Sequence, residues 1–242
     1  MNRLSIALAL LVTALPISGP YAAALPPKIE YTIYMRGELV GHTTIRTSET
    51  KDAIVLESTL EAHFASFDMN LTCRTEADKE TFLVRNFDYQ GTKAGMDVGG
   101  FFDAVGDSLH FTVTVDSVTN DDYRIAPDER NLVIEDYVFE HQVLLALAVM
   151  RGQERIQDFG LVFPSAVSLT TCTVADASKA SVESETSELI CTKILVAISG
   201  SDPYASFYDP TRHLPVYMAF PQTNVEVFLD DFFGDSPVSR YQ

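Results

Sequence analysis

The sequence predicts a mainly β chain: a single antiparallel, strongly curved sheet or half-barrel wrapped around one central helix at about residues 136–151. Three observations carry that reading. Apolar and polar residues alternate with period two along most of the chain, the spacing of half-buried strands. One stretch, DYVFEHQVLLALAVMRG at 136–152, carries helix signals instead: Glu135, Asp136 and Glu140 at its start, Arg151 at its end, and Gly152 just beyond. Residues 143–150 are apolar without a break, so this helix has no wet face there and needs cover on every side. Strands are what the flanking sequence offers.

Taken in order, Ile29, Tyr31, Ile33 and Met35 alternate with polar neighbours as a first strand, Arg36-Gly37 turns, and ELVGHTTIRT returns. Gly41 inside that return predicts a bulge or a close backbone approach. A turn at Lys51-Asp52 leads to AIVLESTL, a bent continuation AHFASFDMNLTCRTEA, and then TFLVRNFDYQ. Five near-sequential strands by residue 90 read as an up-and-down meander rather than βαβ units. GTKAGMDVGGFFDAVGDS is glycine-rich and reads as an irregular hairpin or a flap; SLHFTVTVDS alternates cleanly; TNDDYRIAPDERN is a polar stretch turning at Pro127-Asp128. Beyond the helix come a polar connector, a short apolar run, two β-rich runs around Cys172 and Cys191, and YASFYD. After a turn at Asp209-Pro210, two last strands carry Leu214, Val216, Met218 and Phe220, then Val225, Val227 and Leu229, at alternate positions.

Residues 1–24 read as an export signal, with Arg3, an apolar run over 4–15, a breaker region over 16–21, and cleavage expected after Ala24 of Ala22-Ala23-Ala24. That run is too short to span a bilayer, and no later stretch reaches the roughly 18 to 20 apolar residues a spanning helix needs. Residues 25–242 are therefore expected to form a single β-rich periplasmic domain with no transmembrane segment. The formal charge is −17, and losing Arg3 would make it −18. The basic residues are scattered singly, which argues against nucleic acid or an anionic membrane surface as partner.

Cys172 and Cys191 sit in VSLTTCTV and SELICTKI, joined by a polar stretch. A hairpin placing them opposite each other is expected to carry a disulfide in an oxidising compartment, leaving Cys73 as a buried thiol. No phosphate loop, nucleophile elbow, dinucleotide turn, H-E-x-x-H or C-x-x-C is present. His42, His63, His110, His141 and His213 are spread singly and read as surface or satisfied strand residues, not ligands. Asp121-Asp122 with Asp128-Glu129, and Asp230-Asp231 with Asp235, lack calcium-loop spacing and read as solvated turns. Neither metal nor cofactor is implied, and no catalytic residue is assigned.

What remains is apolar. Phe139, Leu144, Leu145 and Leu147 on the helix face Ile33, Leu56, Leu60, Phe64 and Phe67 on the meander. In a fully closed shell these are core alone. In a shell open on one side, Phe139, Leu144, Leu147, Ile33, Leu56, Leu60 and Phe64 line a groove beside the helix for an acyl chain or apolar peptide.

YTIYMRGELVGHTTI resembles the opening hairpin of an uncharacterised family of exported bacterial β-proteins, with its turn glycine (Gly37) and a second glycine four residues on (Gly41). FYDPTRHLPVYMAF is similar to that family's C-terminal hairpin, in which an aspartate turn leads into Leu214, Pro215 and Val216. The resemblance implies a fold like the open β-barrels of periplasmic lipoprotein carriers, which hold acyl chains against a helical lid; it brings no catalytic residues. The expectation is a non-catalytic periplasmic protein binding or carrying a hydrophobic ligand. The alternative is a cell-envelope assembly or structural factor acting through a protein partner, and the outsider a hydrolase with a dispersed site.

Overall fold

The computed structural model describes residues 25–106, 108–126, 131–152 and 156–234. The expected signal and its cleavage point, the turn at Pro127-Asp128, Glu129 and Asp235 lie outside the described residues.

The alternating runs form β1 (Lys28–Met35), β2 (Glu38–Glu49), β3 (Ala53–Phe64), β4 (Phe67–Asp78), β5 (Val84–Lys93), β6 (Met96–Val105), β7 (Ser108–Val115) and β8 (Val118–Ile125). A short β9 (Asn131–Val133) leads to α1 (Phe139–Arg151). Then follow β10 (Ile156–Phe163), β11 (Ser168–Glu183), β12 (Glu188–Ile198), β13 (Tyr204–Asp209), β14 (Leu214–Phe220), β15 (Val225–Leu229) and the single turn α2 (Asp230–Phe233).

All 15 strands belong to one open sheet, ordered β8-β7-β6-β5-β4-β3-β2-β1-β15-β14-β13-β12-β11-β10-β9. Two meanders run outward from a seam where the first strand pairs with the last, Tyr31 opposite Leu229 and Ile33 opposite Val227. Tyr31 strengthens the seam by donating its hydroxyl to the Pro215 carbonyl at 2.9 Å. One pair departs from the antiparallel sheet expected: β9 runs parallel to β10. A parallel pair needs a crossover rather than a hairpin, and α1 is that crossover.

The sheet cannot be flat. Its 14 inter-strand gaps would span about 67 Å at roughly 4.8 Å each. Yet Ile125 ends the strand at one edge and Asn131 begins the strand at the other, six peptide steps that reach about 20 Å at most. The edges are therefore drawn together, and β9 lies against β5 on the far wing. Curvature gives the sheet an inner face: along β3 and β4, Leu56, Leu60, Met69 and Leu71 are buried while Glu57, Glu61 and Asn70 are exposed.

Several expectations need correcting. The bent continuation through residues 62–77 is a tight hairpin in which Phe64 pairs with Phe67; the two phenylalanine rings lie 4.8 Å apart. The glycine-rich stretch is a hairpin with glycine turns, but a regular one rather than an irregular one or a flap. It runs from the end of β5 through a turn at Ala94-Gly95 into β6 and out at Gly106. Gly100 admits the Tyr89 ring from β5, a Cβ there lying 2.4 Å from it. The polar stretch before residue 126 is the edge strand β8, exposed along nearly its whole length, where nothing demands an apolar face. Gly41 meets its expectation twice over, with a register shift beside it and the Glu61 carbonyl 2.3 Å from where its Cβ would be. Helix α1 begins at Phe139 rather than 136 because Tyr137 takes a left-handed φ of 66°, which stops the helix propagating backward.

The Cys172–Cys191 disulfide is also corrected. The polar segment between the two runs continues β11 to Glu183, moving the turn beyond it. Cys172 therefore pairs with Ile198, and Cys191 with Ala180. Eight residues of extended strand separate Cys172 from Ala180, about 26 Å, far beyond the roughly 7 Å Cα separation a disulfide tolerates. All three cysteines are free and buried. Thiol titration of the unfolded, unreduced protein is expected to count three reactive groups; a count of one would mean the β11–β12 register is wrong.

Candidate functional site

The chemistry of α1 is concentrated in three consecutive residues of its first turn, Glu140, His141 and Gln142, all buried although polar. Successive helix positions diverge by about 100°, so the three reach different strands. Glu140 Oε1 accepts a 2.7 Å hydrogen bond from Ser58 Oγ on β3. His141 Nδ1 accepts from the Glu135 backbone N–H at 3.2 Å, which leaves its proton on Nε2, 3.3 Å from Thr75 Oγ1 on β4. Phe87 on β5 packs edge-on against the imidazole at 4.5 Å. Gln142 Oε1 accepts from the Tyr204 hydroxyl on β13 at 2.8 Å. At the other end, Gln157 Nε2 on β10 donates to the Val149 carbonyl at 3.0 Å, and the Gly152 N–H donates to Ala148 and Val149. Strands of both wings thus hold one helix.

Burial sets the charge states here. It raises the Glu140 carboxyl to about 7, outweighing the Ser58 hydrogen bond, and its Oε2 is buried without a hydrogen-bond partner. It lowers His141 to about 3, so the imidazole is neutral. Burial, assisted by the Glu140 charge, pushes the Cys73 thiol well above its ordinary range, which makes it an inert core group. The expectation that His141 is a surface or strand residue is corrected: it is a helical core residue with both nitrogens accounted for.

The first turn of α1 also floors a cleft of about 240 Å³. Phe139, Tyr204, Phe220, Phe163 and Tyr137 form its aromatic walls, with Val138 and Val225 below and Asp136, Ser201, Asp202 and Thr223 toward solvent. Tyr204 stacks on Phe220 at 5.0 Å, and Phe139 meets the same ring at 6.3 Å. Glu135 lines the cleft and is held by Ser165, whose N–H and Oγ each donate at 2.6 Å. Burial still raises its carboxyl above the ordinary range.

Of the groove residues expected from sequence, Phe139 lines this cleft. Ile33, Leu56, Leu60, Phe64, Leu144 and Leu147 are buried in the core. Leu147 borders a void of only about 20 Å³ near the far end of α1, and Leu60 a polar hollow of about 470 Å³ among outward residues of β2–β5 such as Thr44, Glu61 and Gln90. Sequence reasoning missed Gln142, Tyr204, Phe220 and Phe163. The signal available was the EHQ triplet opening a helix that is otherwise apolar, since polar residues there require partners.

The acidic clusters resolve into local pairs among the described residues. Asp121 accepts from Thr112 and Asp122 pairs with Arg124; Asp230 accepts from Thr32 and Asp231 lies 3.5 Å from Arg212. No described group of three such side chains is placed to hold a metal ion, and no described helix is long and apolar enough to cross a membrane. No protein family, no curated protein and no solved structure matches the chain.

The two buried ionisable groups of α1 shape stability against pH in opposite senses. Native Glu140 keeps a proton that the unfolded chain, at an ordinary 4.5, releases, so stability falls as pH rises from 4.5 to about 7. Unfolded His141, at an ordinary 6.5, binds a proton that the native state refuses down to about 3, so stability falls as pH drops through that window. Between 4.5 and 6.5 the two slopes oppose each other. Glu140→Gln removes one of them. Its stability relative to wild type is expected to improve by about 3 kcal/mol between pH 4.5 and 8; denaturant midpoints for both proteins that stay parallel across that range would refute the buried carboxyl.

Proposed function

We propose that this is a non-catalytic binding protein, exported to the periplasm, that takes an apolar group into the cleft at the start of α1. In this reading the curled sheet acts as a half-barrel around the helix, and the cleft is the gap the wrapping leaves between α1 and the β13–β14 hairpin. The observation that carries it is the aromatic wall of Phe139, Phe163, Tyr204 and Phe220 opening to solvent beside polar rim residues. Concave, mostly apolar surface with a few fixed polar groups is what small-molecule sites are made of. Burying about six methylenes there would contribute roughly 5 kcal/mol before the ordering costs of binding.

A non-catalytic role is supported by how the reactive side chains are engaged. The Ser58 hydroxyl donates to Glu140 rather than to His141, and none of the three lines the cleft. Nucleophilic catalysis needs a base on the nucleophile and access for substrate.

The protein has no tryptophan, so Phe220→Trp places a lone reporter in the cleft wall. The neutral probe N-phenyl-1-naphthylamine is expected to quench that tryptophan saturably, and adding Ser201→Phe, which puts bulk at an exposed lining position, to weaken binding by at least tenfold. Probe binding that ignores the Ser201 substitution would place the site elsewhere and sink the reading.

The second reading, an assembly factor acting through a protein partner, is favoured by β8. It is a sheet edge on which Val118, Tyr123 and Ile125 are 63%, 69% and 80% exposed, the kind of strand that accepts another. Photo-crosslinking from position 123 in intact cells discriminates: one recurrent protein adduct supports this role, and its absence removes it.

A further inference from the structure

We propose that the occupant of the cleft is a small amphiphile ending in an ammonium group, primary or quaternary, with its short alkyl body against the aromatic walls. This rests on the binding reading above and adds the chemistry of the head group. The cleft is lined by three carboxylates, Glu135, Asp136 and Asp202, and by no lysine, arginine or histidine among the described residues. Aromatic faces beside carboxylates are the combination that recognises an alkylated nitrogen cation, since the ring quadrupole and the acid attract the same charge while the rings tolerate its methyl groups. An anionic head would meet the three acids with no basic side chain on the described lining to offset them. The positive end of α1 does not reverse this, because it amounts to about half an elementary charge against three carboxyl side chains on the lining. Lys93 stacks on the Tyr137 ring at 5.9 Å and is not itself part of the lining, so it shows that an aromatic of this wall already accepts a cation on its face. The volume, about 240 Å³, holds about eight water-sized groups, enough for a trimethylammonium head and its first few carbons but not for a long acyl chain.

Calorimetric titration of the mature protein with octyltrimethylammonium, octanol and octanoate tests this. The salt is set at 150 mM, where remote charges are screened beyond about 8 Å. Octyltrimethylammonium is expected to bind at least tenfold more tightly than octanol, with octanoate weakest. In the double variant Asp136→Asn, Asp202→Asn the ammonium preference is expected to fall about tenfold while octanol affinity stays unchanged. Octanoate binding as well as the ammonium, with octanol also bound, overturns the head-group assignment and leaves the binding reading standing. An ammonium preference untouched in the double variant also overturns it, by tracing selectivity to the net charge of the whole chain. If none of the three binds, the cleft is not a site and both conclusions fall.

Discussion

Between Ile125 and Asn131 the backbone passes from one edge of the sheet to the other, and the shortness of that step governs the rest of the molecule. Without it, fifteen strands of alternating residues could lie as a gently twisted sheet with one greasy face in water. With it, the ends of β8 and β9 stay within about 20 Å of each other, and the open sheet must curve. The helix that follows β9 is the crossover that returns the chain to the parallel neighbour of β9. An apolar helix in that position is sheltered for eleven successive residues.

Burial explains why the polar start of α1 is so fully engaged. Glu140, His141 and Gln142 each find a hydroxyl on a different strand, so the helix is fixed in rotation by directional bonds as well as by shape. The arrangement holds one imperfection, the unpartnered second oxygen of Glu140, and burial answers it by favouring the protonated acid. The cleft lies where this polar turn gives way to the aromatic rings of β13 and β14. Its walls are aromatic, and three carboxyl side chains share the lining with them.

Much of the architecture was legible in the sequence because period-two alternation is a direct image of a two-faced sheet. Ile29, Tyr31 and Ile33 in β1 and Val225, Val227 and Leu229 in β15 read correctly for that reason. Positions failed where alternation carried no information. β8 buries neither face, its few apolar residues lying exposed among polar ones, and the extension of β11 through SKASVE is mostly polar; there hydrogen bonding to a neighbouring strand decides the structure. The disulfide expectation failed with it, since a register cannot be inferred from two cysteines without the turn. Of the cleft, Phe139 could be anticipated from its place at the helix start. Phe163, Tyr204 and Phe220 come from strands whose proximity is set only by long-range topology.

The seam between β1 and β15 joins residues 198 positions apart. A chain emerging from its N-terminus exposes one side of β1 as an unpaired edge until β15, at Val225–Leu229, has followed it. Non-local pairing of this kind slows folding and prolongs the life of sticky intermediates. It also means that losing β15 would open the sheet at its middle rather than fray an edge.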